Sequence, residues 1–156
     1  MRISTAISIV LLLLSFGCNS ERTTADDARD ALVENQAKWA TYKGQITSYH
    51  LSTTYYYVGT PVSVDLVVST ADDSITSCTK TVYRSTQTTS DCLSETYFHH
   101  TIEYYFAYAS ELINSGQITT YSFNPSNGTP ISAYGQPQDP GLMDAGTPGF
   151  TIEFTN

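Results

Sequence analysis

Charge is scarce in this 156-residue chain, and basic charge is scarcer still: charged residues make up 14%, with Lys+Arg 7 against Asp+Glu 15 and a formal net charge of -8. Nucleic acid and anionic lipid headgroups are poor partners for so acidic a surface, since both require a field of the opposite sign. Apolar runs are short. The N-terminal one, Ile7 to Leu14, falls well below the roughly 20 residues that span a bilayer core of about 30 Å, so no permanent transmembrane helix is expected. Catalytic signatures are missing too, with no H-E-x-x-H, no G-x-S-x-G, no Walker loop, no dinucleotide fingerprint and no calcium loop. No cofactor is therefore expected, and an enzyme ranks only third among the functional readings.

What the chain does have begins with an address. Arg2, the run from Ile7 to Leu14, and Ser15-Phe16-Gly17-Cys18 have the layout of a secretion signal, with a basic start, a short apolar stretch and a small residue before the cut. The reading is residues 1–17 as signal peptide, 18–24 as a lipidated Cys18 with a polar tether, and 25–156 as one α+β domain. This predicts a bacterial envelope protein held to a membrane through its N-terminal lipid. Ser15 and Phe16 depart from the preferred lipoprotein box, and the alternative is a plain signal peptide cut near Cys18. Cysteine parity favours lipidation. Of Cys 3, Cys78 and Cys92 can satisfy each other in an oxidising compartment, leaving Cys18 as the odd thiol.

Thr24 is placed as the N-cap of a first helix over about 25–42, with Asp26, Asp27 and Asp30 favoured by the helix dipole. Ala25, Ala28, Leu32 and Trp39 share its apolar face, and Gly44 offers a stop. From Ile46 to Val58 the period becomes two, and a hairpin follows: Val62 to Ser69, the turn Ala71-Asp72-Asp73-Ser74, and an arm from Ile75 that carries Cys78. A polar loop through Thr86, Thr88 and Thr89 returns to Cys92. The second helix is capped at Thr101, buries a stripe of Ile102, Tyr105, Phe106, Ala109, Leu112 and Ile113, and ends at Asn114-Ser115-Gly116. Strands are expected at Ile118 to Phe123, Ile131 to Tyr134 and Phe150 to Phe154, with a Pro/Gly/Asp-rich loop from Gly135 to Gly149.

In combination these elements resemble a family of small secreted bacterial proteins and lipoproteins, domain of unknown function 6174; Trp39 followed by Ile46, Ser48 and Tyr49, Val62 and Val64 leading to Asp72-Asp73 and Ile75, Thr101-Ile102-Glu103 with Phe106, and Phe123, Pro125, Gly128 and Pro130 carry the likeness. It covers the chain from about residue 30 onward. The resemblance implies secretion and no established activity, so it brings no catalytic residues.

The fold expected is an antiparallel β-sheet of four to six strands with two helices packed on one face, in the order helix, two or three strands, helix, three strands. Trp39, Leu51, Val64, Leu66, Phe106, Ile113, Phe123 and Ile152 are the expected core. Tyr104, Tyr108 and Glu111 lie together on the far side of the second helix and form the candidate partner surface, unless Tyr97 or loop residues cover them. His99-His100 beside Glu103 is the only cluster suggestive of metal, and solvated histidines are expected instead, because neighbouring helical residues point about 100° apart. His50 has no identifiable partner for base chemistry, Asp139 and Asp144 read as a solubilising pair, and the Asn127-Gly128-Thr129 sequon reads as hairpin geometry. The leading expectation is a non-catalytic envelope domain that binds another envelope component. The second is a small-ligand binder with a cleft between the sheet and the Pro/Gly-rich loop.

Overall fold

The change of period at Ile46 marks the passage from helix to sheet. The computed structural model describes residues 24–57, 60–135 and 149–156. Helix α1 (Thr24–Lys43) precedes four strands, β1 (Ser48–Tyr57), β2 (Thr60–Ser69), β3 (Ile75–Tyr83) and β4 (Gln87–Asp91). A 3-10 turn (Thr96–Phe98) leads into α2 (Ile102–Asn114), and β5 (Ile118–Phe123), β6 (Pro130–Gly135) and β7 (Gly149–Thr155) complete the order. The chain is α+β, with one 7-stranded antiparallel sheet in the order β4-β3-β2-β1-β7-β6-β5.

The strand beyond the expected four to six is β4. All five of its residues are exposed, so it has no apolar face and no alternation to reveal it. It pairs with β3 from Thr79↔Asp91 to Tyr83↔Gln87, and a polar edge strand of this kind resists further strand addition. The helices therefore flank four strands rather than two or three.

Alternation sorts the sheet into two faces. On the inner one, Leu51 pairs with Leu66 and Phe154, Thr53 with Val64 and Ile152, and Ala133 with Phe150. Both helices pack there: Ala28, Leu32 and Trp39 of α1 join the core with the full expected stripe of α2. Trp39 meets Tyr49 and Phe154 edge-on, at centroid separations of 5.3 and 5.7 Å. Of the expected core only Phe123 is half-buried, because β5 is an edge strand; its ring lies 6.1 Å from Phe106.

Two helix ends differ from expectation. Helix α1 already includes Thr24, which therefore does not cap it. Thr101 occupies the N-cap position of α2, but its side chain makes no capping bond; the Ile102 N–H instead donates to the hydroxyl of the fully buried Tyr49, at 3.2 Å. A buried sheet tyrosine thus meets one of the unpaired donors that begin every helix. The other end is a Schellman motif, in which Gly116 N–H donates to Ile113 O and Gln117 N–H to Leu112 O.

Cys78 and Cys92 lie at disulfide-bonding distance, their Cα atoms 5.0 Å apart and both side chains buried. Asn127 is buried as well, its Oδ1 accepting from the Thr129 N–H and hydroxyl, so the sequon serves the turn. Cys18, the tether, and Asp139 and Asp144 lie outside the described residues. Among the described residues no helix is long and apolar enough to cross a membrane.

Candidate functional site

Once α2 has turned its apolar stripe to the sheet, the residues left at four- and seven-residue spacing are Tyr104, Tyr108 and Glu111. The three are not equivalent. Tyr104 is 42% exposed and Glu111 is exposed, whereas Tyr108 is half-buried with its ring 6.0 Å from Phe150. Tyr108 therefore forms the margin of the core, and β7, more than forty positions away in sequence, supplies its cover.

The face extends backward from the helix rather than along it. The His100 ring stacks on Tyr104 with centroids 3.7 Å apart and planes within 5°. Tyr97, 68% exposed, stands edge-on to Phe98 at 5.3 Å and 6.4 Å from His100. Tyr97, His100, Tyr104 and Tyr108 thus form a continuous aromatic row, and Tyr97 extends the row instead of covering it.

Hydrogen bonds hold the row in place. The Tyr55 hydroxyl lies 3.0 Å from His100 Nδ1 and 3.2 Å from the Tyr105 hydroxyl. The Tyr55 hydroxyl thus bridges the imidazole and the second phenol: it donates to His100 Nδ1 or accepts from it according to the tautomer, and either hydroxyl serves as donor in the Tyr55–Tyr105 bond. Burial pushes His100 below its ordinary value and so favours the neutral imidazole, with His99 adding to the effect. Burial also raises the Tyr55 and Tyr105 hydroxyls, so both stay protonated. The expectation of solvated histidines is thus corrected: His100 is half-buried and engaged, and His99 Nε2 approaches the Cys92 carbonyl at 3.3 Å.

Glu103 turns away from both histidines. Its Oε1 accepts from Trp39 Nε1 at 3.0 Å and from Lys43 Nζ at 2.6 Å, and Lys43 also pairs with Asp73 in the β2–β3 turn. Burial pushes the Glu103 carboxyl up, but the Lys43 and Trp39 bonds outweigh it and hold the group below its ordinary range. This cluster ties α1, α2 and the turn together. No group of three His, Cys, Asp or Glu side chains suited to a metal ion occurs among the described residues.

On the outer sheet face, His50 is exposed, and the hydroxyl of Ser52 donates to Asp65 rather than to an imidazole. A cleft of about 690 Å³ opens there where β1 parts from β7, lined by Ser52, Thr54, Asp65, Tyr134 and Glu153 among others.

The depressed values of the part-buried His100 and Glu103 predict acid sensitivity in two windows. Because the folded-state value of His100 lies below 6.5, the unfolded chain binds the extra proton first, and stability present above that value falls as pH drops through the window below it. The Glu103 contribution is present above 4.5 and is lost only below that. Urea midpoints should begin to decline as pH falls below about 6.5, and His100→Asn should flatten that segment while leaving the one below 4.5 in place. An unchanged slope in the variant would assign the upper window to another group.

Comparison of the chain with protein families, with curated proteins and with solved structures finds no match.

Proposed function

We propose that this chain is a non-catalytic domain of the bacterial envelope, secreted through residues 1–17 and tethered by a lipid on Cys18, in keeping with its resemblance to a family of secreted proteins and lipoproteins. Its aromatic row binds another envelope protein. The observation that carries this reading is the exposed Tyr97–His100–Tyr104 stack, fixed from below by Tyr55. Rings already held in one arrangement lose little freedom on binding, and tyrosine is among the residues that dominate interface energies.

The chemistry of the partner follows from charge. Tyrosine faces attract cations, Glu111 adds a carboxylate at the end of the row, and the whole chain carries a net charge of -8. A protein surface bearing Lys or Arg fits this face. The His100 imidazole of the row is engaged by the Tyr55 hydroxyl beneath it rather than presented to a substrate-sized space, which supports binding over catalysis.

A photo-crosslinking residue placed at Tyr104 in intact cells tests the reading. One defined protein should be captured, and Glu111→Lys in the same chain should abolish its capture. No adduct at Tyr104, or the same adduct from the outer-face position Thr54, would count against it.

A further inference from the structure

A second site adjoins the aromatic row and shares Tyr97 with it. Between β2, β3 and the 3-10 turn is a cavity of about 280 Å³ whose apolar lining comes from Val62, Val82, Tyr97 and Phe98. Lys80, Arg84 and Glu95 complete most of its wall. Lys80 pairs with Glu95 and lies 5.6 Å over the Phe98 ring, so its charge is already met.

Arg84, one residue past β3, differs from every other described cation. Arg29 pairs with Asp26, Lys38 with Glu34, Lys43 with Asp73 and Glu103, and Lys80 with Glu95. Among the described residues, Arg84 alone has no ion pair. In a chain with Asp+Glu 15 against Lys+Arg 7, an unmatched guanidinium beside an apolar cavity leaves a charge and a fork of donors available to a ligand. A guanidinium fork matches a carboxylate in two parallel bonds.

We infer that this cavity binds a small amphipathic carboxylate, with its apolar body against Val62, Val82 and Phe98 and its carboxylate on Arg84. The size restricts the ligand. At about 280 Å³ the cavity lies just under the roughly 300 to 1,000 Å³ typical of ligand pockets, so the body must be short. Charge sets the sign of the ligand: Arg84 repels cations, and the one lining carboxylate, Glu95, is occupied by Lys80.

Octanoate is the probe, with 1-octanol as its uncharged counterpart, each titrated into the mature protein and followed by amide NMR. Octanoate should give saturable shifts at Val62, Val82, Arg84 and Phe98 in the millimolar range or tighter. Arg84→Gln should weaken it by about tenfold or more, as expected for loss of a charge-assisted bidentate contact. Arg84→Lys should recover part of the loss, and 1-octanol should bind the unaltered protein no better than octanoate binds Arg84→Gln. Absence of saturable shifts with octanoate, or equal affinity in the native and Arg84→Gln proteins, would overturn the assignment. Because Arg84 is exposed, its substitution leaves the fold intact, and the unchanged spectrum of the free variant verifies this.

Discussion

Replacing Gly128 with alanine should remove about 3 kcal/mol or more of folding stability, a large part of what a domain of this size possesses. Two causes act together. Gly128 has φ +77, in the left-handed region that L side chains rarely adopt. A Cβ built there would also stand 2.3 Å from the Asn35 carbonyl oxygen, 2.8 Å from Lys38 Cβ and 3.0 Å from the Trp39 nitrogen. Two of those atoms are helix backbone and cannot swing aside.

The surrounding loop has no slack either. The Asn124 N–H donates to Thr129 O and the Gly128 N–H to Asn124 O, each at 2.8 Å, and Asn127 Oδ1 accepts twice from Thr129. The β5–β6 hairpin therefore docks on α1 through the missing side chain of Gly128, opposite the turn of helix that carries Trp39. Gly116→Ala is the matched control. That glycine also has positive φ, at +69, but nothing lies within 4 Å of its added Cβ, so only backbone strain of about 1 kcal/mol applies. Urea denaturation of the two variants separates strain from clash, and equal midpoints would show that the Gly128 contact is relieved without cost.

The second large effect belongs to Cys78 and Cys92. A bridge closing 14 positions is worth about 3 kcal/mol on the chain-entropy account. Its location adds a local consequence. Beyond Cys92 the chain runs through the 3-10 turn to His100, and the strand before it, β4, is exposed along its whole length. Besides the bridge, the junction is held by the Cys92 N–H donating to Cys78 O at 3.0 Å, by the Glu95 N–H and His99 on the Cys92 carbonyl, and by the Lys80–Glu95 pair. The double variant Cys78→Ala, Cys92→Ala should lower the denaturation midpoint and speed amide exchange across residues 92–101 more than across β1 or β2. Two reactive thiols in the exported protein without reductant, or a midpoint unmoved by reductant, would exclude the bridge.

How much was legible follows from where each signal lies along the chain. The α2 stripe and the β2 alternation are local, and every expected residue of the stripe is buried. Strand β4 carries no signal because both of its faces are exposed; hydrogen bonding to β3 makes it a strand. The Tyr49 hydroxyl on the Ile102 N–H joins residues 53 positions apart, and Glu103 meets Lys43 across 60, distances no spacing rule covers.

The candidate face was legible in part. Tyr104 and Glu111 are exposed as expected, Tyr108 is half-buried because β7 returns beneath it, and His100, expected to be solvated, is the fixed centre of the stack. A local signal for His100 did exist. Positions 100, 104 and 108 repeat at an interval of four, the spacing that brings rings together along a helix and just ahead of it.

The central claim is that the Tyr97–His100–Tyr104 row is an interface in the envelope rather than a bare surface. Hydroxyl-radical footprinting of Tyr97 and Tyr104, in the purified mature protein and in intact cells, tests it most directly. Both tyrosines should be oxidised readily in the purified protein and strongly protected in cells, while the exposed outer-face tyrosine Tyr83 is oxidised equally in both. Equal oxidation of Tyr97 and Tyr104 in the two settings would contradict the account.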